Sequence, residues 1–196
     1  MAEIEKSRRS RKRDNTHKSI MHSAKVLFEA NGIANVTIDQ ISEGADVSRS
    51  TFFSHFASLD DLLKQIADEE INDIFEAVDT SGEEPSIRTL MRQLNNDTYP
   101  YPYLVCELIM RALLSKDETS LKRVDAFMRE ELTNKGGYEK IRKNFSPKEL
   151  SAVIFGAYFG MVFQKLINNE PFESPTETND TIQKFITFLE DREEKL

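Results

Sequence analysis

The stretch TIDQISEGADVSRSTFFSHF, residues 37–56, restricts the fold more than any other part of the chain. Thr37 and Gln40 have the spacing of a capping box, in which the hydroxyl takes the third amide and the third side chain reaches back. A short helix therefore runs from Ile38 to about Gly44. Ala45-Asp46-Val47 is too short to do more than turn, and Ser48 is a natural N-cap for another short helix ending near Phe56.

The second of these helices divides by face at about 100° per residue. Phe52 and Phe56 are four apart and can join a core. Arg49 and Phe53 are also four apart but lie on a different face, so the phenylalanines cannot all be core. With Ser48, Ser50, Thr51, Ser54 and His55, that outer surface offers a guanidinium fork, hydroxyls and an imidazole. Two short helices around a tight turn, the second polar and cationic outward, describe a helix-turn-helix. Arginine pairs bidentately with guanine, and serine or threonine suits phosphate or base edges.

The flanks are helical too. Ile20, Ala24, Leu27 and Phe28 form an amphipathic stripe that Asn31-Gly32 ends. Ser58 with Asp61 opens a long fourth helix, carried by Leu62, Leu63, Ile66, Ile71, Ile74, Phe75 and Val78. TSGEEP (80–85) reads as a linker, and YPYPY (99–103) as a helix break. Further helices are expected over about 86–96, 103–115 and 118–134, the last two parted by Ser115-Lys116-Asp117. Ser146-Pro147-Lys148-Glu149 and Ser174-Pro175-Thr176-Glu177 repeat one start signal, with Ser at N-cap, Pro at N1 and Glu at N3. The expected fold is all-α with about nine helices: a three-helix helix-turn-helix domain joined by the long fourth helix to a second helical domain.

Charge is distributed unevenly. Residues 1–60 carry 9 Lys+Arg against 8 Asp+Glu, whereas residues 61–196 carry 17 against 26, giving the net −8. KSRRSRKR (6–13) places six cations in eight residues. It reads either as a flexible solubilising tail or as an arm whose Arg8, Arg9, Arg11, Lys12 and Arg13 follow phosphate. The expected organisation is a basic arm over 1–13, a DNA-binding domain over 14–57, and a regulatory and dimerisation domain over 58–196. The single cysteine, Cys106, forms no internal disulfide. Without an apolar run of about 20 residues or an h-region, the chain is expected in the cytoplasm, off the membrane.

The block from about Asp14 to Leu63 resembles the DNA-binding domain of TetR/AcrR-type transcriptional regulators. The likeness lies in the helix lengths, the Thr opening the second helix, Val47-Ser48-Arg49, and the aromatic-x-His-Phe ending at Phe56. The resemblance implies that Thr37 and Gln40 meet phosphate or neighbouring bases, that Arg49, Ser50 and Thr51 contact bases, and that His55 touches the backbone. Phe53 stands where the family has Tyr, and Asp46 where the turn has Gly. Ala57, Leu59 and Asp60 fill a stretch in which the family often carries lysines. The basic arm can supply the missing cationic contacts, in the minor groove or along the backbone.

A single short reading helix favours a dimer on a two-fold operator. Gly156 and Gly160, four apart in the most apolar helix, allow a close approach either within one subunit or between two. With Phe185 and Leu189 they form the expected interface, in the helices that the resembled family pairs as a four-helix bundle. That family binds a small-molecule effector in its second domain. Tyr103, Cys106, Met110, Phe127, Phe155 and Phe159 are candidates to line such a pocket, with ordinary core as the other reading. No phosphate-loop, nucleophile-elbow or zinc-protease motif occurs, and His17 and His22 straddle a helix instead of sharing a face. The expected protein is therefore no enzyme and has no metal or cofactor. The resemblance implies a dimeric repressor released from a palindromic operator by a small effector. The alternative is a dimeric DNA-binding or interaction protein without small-ligand control.

Overall fold

In the computed structural model, residues 2–80, 86–115, 119–172 and 175–190 are described, with side chains from Ser10 onward except those of Ser115 and Thr119. Four expectations lie outside these residues: the linker over 81–85, the break at 116–118, the Ser174 cap, and the side chains of Arg8 and Arg9. Nine α-helices and two single 3-10 turns occur among the described residues, with no strand.

Helix α1 spans Ala2–Asn31. The segment expected as a flexible arm thus continues into α1 from Ala2, since neither Pro nor Gly interrupts residues 2–31. Gly32, at φ 76°, ends the helix with the left-handed turn that glycine adopts freely. Helices α2 (Ile38–Gly44) and α3 (Arg49–His55) follow, each with its expected cap. Between them Asp46 takes φ 53°, while the Val47 amide donates to Ser42 O and the Asp46 amide to Glu43 O. This is a Schellman termination with Asp in the place that favours glycine, a substitution its short side chain tolerates.

Helix α4 runs Leu59–Thr80, α5 Ile87–Thr98, α6 Pro102–Ser115, α7 Thr119–Asn134, α8 Pro147–Ile167 and α9 Thr176–Leu189. Pro102 opens α6, where a missing amide costs nothing. The Ser146–Glu149 capping box forms as expected.

Two compact units result. The first comprises Met1–Glu69 with Tyr103–Met110, the second Glu70–Pro102 with Arg111–Leu196. The first unit packs α1 on α2 and α2 on α3 around Ile20, Phe28, Ile41, Phe52, Phe56, Leu62 and Ile66, all nearly inaccessible. Burying each phenylalanine stabilises this unit by roughly 1.5–3 kcal/mol over leaving it exposed. Gly44 sits so close to α1 that a Cβ there would lie 2.4 Å from Ser23 Oγ. The start of α6 joins the unit through two carboxylates. Glu29 accepts the Tyr103 and Leu104 amides at 3.3 and 2.9 Å, and Glu107 accepts the Ile33 amide at 3.0 Å. The expected division into 14–57 and 58–196 leaves this piece of α6 with the later domain.

In the second unit α8 packs on α7 and α9, and α5 on α9. Arg88 of α5 donates to both carboxylate oxygens of Glu190 through its Nε and Nη2, at 3.0 and 2.8 Å, and also reaches Gln183 and Thr187. Helix α8 is 21 residues long and apolar enough to cross a membrane by length and composition. Its packing on two neighbours accounts for one side of the helix: Leu150, Ile154, Tyr158 and Val162 form one buried stripe.

Candidate nucleic-acid interface

Two phenylalanines fix how α3 is presented. Phe52 and Phe56 are wholly buried, so the helix turns Ser50, Ser54, Arg49 and Phe53 to solvent. Phe53 is 45% exposed, consistent with its separation from the core pair. Its ring lies beside the Arg49 guanidinium, 5.6 Å from ring centre to Cζ.

The polar groups of this surface are arranged in advance. The Ser48 hydroxyl accepts the Thr51 amide at 3.1 Å and lies 2.8 Å from both the Ser50 and Thr51 hydroxyls. Ser54 donates to Thr51 O. On α2 the Thr37 amide and hydroxyl both donate to Gln40 Oε1, which leaves the Gln40 amide group directed outward from an exposed residue. Backbone positioning and base reading by such groups need no rearrangement of the helices that carry them.

His55 closes the inner end of α3. Its ring centre lies 5.7 Å from that of His17, and His17 stacks on Phe56 at 4.6 Å. Burial, then the neighbouring His17 and Arg13, hold the His55 imidazole below its ordinary pKa. Arg13 and His17 both lie near enough to His55 to act on its charge. Arg11, Lys12 and Arg13 are exposed along α1, one helical turn and more before His17.

Two neighbours are not apparent from linear spacing. Asp39, on the first turn of α2, forms an ion pair with Arg49 at 2.5 Å across the turn. His17 belongs to the same corner as His55 although 38 positions separate them. The signal available for Asp39 is only a lone acid in an otherwise uncharged first turn, which also suits the helix dipole.

The residues expected to line an effector pocket divide between the units. Tyr103, Cys106 and Met110 belong to the first, Phe127, Phe155 and Phe159 to the second. Burial and the nearby Glu29 carboxylate push the Cys106 thiol up to about 11, away from the reactivity of an oxidant sensor. Phe127 packs edge-on against Phe75, and Phe155 lies tilted against Phe159. A small cavity in the second unit, lined by Asn95, Thr98, Tyr158, Val162, Lys165 and Thr178 among others, has about 10 Å³ of free space. That is room for one water.

Opposite its buried stripe, α8 bears a second apolar one. Val153, Phe163 and Ile167 are 48%, 39% and 78% exposed, and Gly156 and Gly160 are exposed between them. A Cβ on either glycine would meet nothing within 4 Å, so packing inside one protomer does not require glycine there. On α9 Phe185 is half-buried. Leu189, expected at a partner face, is instead buried in its own unit, because it continues the inward stripe of Ile182 and Ile186. Phe188, one residue earlier, is 80% exposed.

Comparison with known proteins agrees with this geometry. Residues 20–66 match the family described as bacterial regulatory proteins, tetR family. The HTH-type transcriptional regulator EthR of Mycobacterium tuberculosis is 30% identical over 73 residues, 37% of this chain. Those residues span only 34% of that relative's length. Solved structures share the fold over most of the chain. The fatty acid degradation regulator FadR from Bacillus halodurans superposes with a TM-score of 0.72 at 16% identity, over 89% of this chain and 94% of that one. NalD of Pseudomonas aeruginosa, secondary repressor of the MexAB-OprM multidrug efflux pump, gives 0.64 at 14% identity over 92% and 99%. The sequence likeness falls on the helices that build the turn, the exposed α3 and their core, and the helical frame is shared along nearly the whole chain: residues 20–66 form a helix-turn-helix module that matches the tetR family of bacterial regulatory proteins.

Proposed function

We propose that the protein is a cytoplasmic homodimeric repressor that holds a palindromic operator through two copies of α3 and releases it when a small-molecule effector binds. The observation that supports this best is the exposed α3 surface, with Arg49 and Phe53 outward and a capped, hydrogen-bonded hydroxyl cluster beside them. Arg49, Ser50 and Thr51 read base edges, while Thr37, Gln40, Ser48, Ser54 and His55 position the backbone. The second apolar stripe of α8, with Gly156 and Gly160 at its middle, supports dimerisation, since helices approach closely across small residues. Repression is supported by NalD, a structural neighbour that is itself a repressor.

One observation favours a second reading, a dimer that binds DNA without small-ligand control. The cavity lined by Asn95, Thr98 and Tyr158 has room for one water, so that cavity is not itself an effector site. Selection of bound DNA from a random pool tests the DNA reading. Two half-sites related by a dyad, about 10 base pairs apart or a multiple of that, are the expected product. Recovery of unenriched DNA would refute it. A thermal-shift screen on the selected complex then separates the two readings, because an effector stabilises the free protein and releases the DNA.

A further inference from the structure

The ion pair between α2 and α3 raises a question about the reading residue itself. Arg49 and Asp39 are both exposed, at 58% and 69% of their side chains, so burial does not force them together. Isolated surface pairs of this kind contribute little to stability. Here the pair joins two helices that the turn already holds, and the same guanidinium also lies over the Phe53 ring. Carboxylate at one edge and ring beside one face restrict a side chain that otherwise has many rotamers. Asp39 engages Nη1, and Arg49 has no other side-chain hydrogen bond among the described residues. The remaining donors of the fork are therefore free to engage two acceptors on a base edge.

We propose that Asp39 is a specificity-determining residue, which holds the Arg49 fork in the orientation that reads one guanine and opposes its capture by phosphate. The inference rests on the DNA reading proposed above. A flexible arginine at a DNA surface pairs with the nearest phosphate as readily as with a base, and phosphate pairing carries no sequence information. A carboxylate fixed beside it works against phosphate in two ways. It occupies one nitrogen of the fork, and its own charge repels the backbone. Guanine, which presents two neutral acceptors in the major groove, incurs no such repulsion. Asp39 therefore lowers general affinity and raises discrimination, acting through Arg49 without touching DNA.

The test starts from the operator selected by the unaltered full-length protein. Affinity is measured for that operator, for each of its single-base-pair variants, and for random DNA, with the protein and with Asp39→Asn, Arg49→Ala and the double variant. Arg49→Ala should lose discrimination at one base pair per half-site. Asp39→Asn should lose on the order of tenfold discrimination at the same base pair, keep the others, and bind random DNA more tightly. In the Arg49→Ala background Asp39→Asn should have no effect at that position. Full discrimination in Asp39→Asn, a loss spread over many positions, or an effect that persists without Arg49 would each overturn the proposal. Should Asp39→Asn fail to fold, Asp39→Ser makes the same comparison and suits the first turn of a helix. If the unaltered protein selects no sequence, the DNA reading itself fails and this inference fails with it. Selection of an operator followed by unchanged discrimination in Asp39→Asn overturns this inference alone.

Discussion

Replacing Gly44 by alanine should stabilise or destabilise the first unit according to what stands at residue 23. In an ordinary helix the change gains about 1 kcal/mol, because alanine loses less backbone entropy than glycine. Here the new Cβ would come within 2.4 Å of Ser23 Oγ, closer than carbon and oxygen tolerate. The buried Ser23 hydroxyl, which donates to Ile41 O at 3.0 Å, would have to leave that bond. Displacing it costs about 1 kcal/mol for the bond, and about 1–3 kcal/mol if the hydroxyl finds no new partner. Gly44→Ala alone should therefore destabilise by about 1–2 kcal/mol. Ser23→Ala alone should cost only about 0.5–1 kcal/mol, since Ile41 O keeps the Ala45 amide at 3.0 Å. Without the hydroxyl, the nearest atom to the new Cβ is the Ser23 Cβ position at 3.5 Å, an ordinary separation. Gly44→Ala in the Ser23→Ala background should then stabilise by about 1 kcal/mol, a coupling of roughly 2–3 kcal/mol. Urea unfolding of the four proteins at equal protomer concentration measures it. In a thermal melt each kcal/mol corresponds to about 2–4 °C for a chain of this size. Equal stabilisation by Gly44→Ala in both backgrounds would refute the reasoning.

Other outcomes follow from the same geometry. Because the folded His55 imidazole sits below the ordinary value of 6.5, the unfolded chain binds more protons between the two values. Stability should be complete above pH 6.5 and decline as pH falls toward the folded value, whereas phosphate at that corner favours the charged ring, so DNA binding should tighten over the same fall. His55→Gln should abolish both trends in paired titrations. Deleting residues 1–13 should weaken operator binding and reduce its salt slope by about 0.9 for each phosphate that the arm neutralises; an unchanged slope would show that it neutralises none. Gly160→Leu should yield monomers in sedimentation and lose operator binding, and a stable dimer would move the interface elsewhere. Phe53→Tyr should tighten DNA binding if the exposed ring faces the backbone, a gain read directly in a filter or fluorescence titration.

Local chemistry made much of the fold legible. The Thr37–Gln40 box, the Ser48 cap and the Ser146–Glu149 box each specify a helix start within four residues, and all three form. Phe52 and Phe56 declared themselves as core by spacing, and Phe53 as surface. Asp46 was readable because few residues other than glycine accept a positive φ. Pairings between segments far apart in the chain were not readable. Nothing near Glu29 indicates that it will receive the amides of Tyr103 and Leu104, and nothing near His17 indicates that it will stack on Phe56. Leu189 shares the stripe of Ile182 and Ile186 that its own unit covers, and sequence spacing does not tell that side of α9 from the one on which Phe188 lies exposed.

The carboxylates of Glu29 and Glu107 have a consequence for how this chain can be cut and recombined. Glu29 is half-buried, and its burial pushes the carboxyl upward against the two amides that pull it down, so it depends on those amides for its partners. The first unit is thus discontinuous in the gene, with a fragment encoded some thirty codons after the rest. A chimera joined after residue 57 or 69 would carry the turn and the reading helix and yet leave Glu29 and the Ile33 amide without their partners. Exchange of specificity between regulators built this way requires transplanting Tyr103–Met110 together with the first helices, or matching both carboxylates in the recipient.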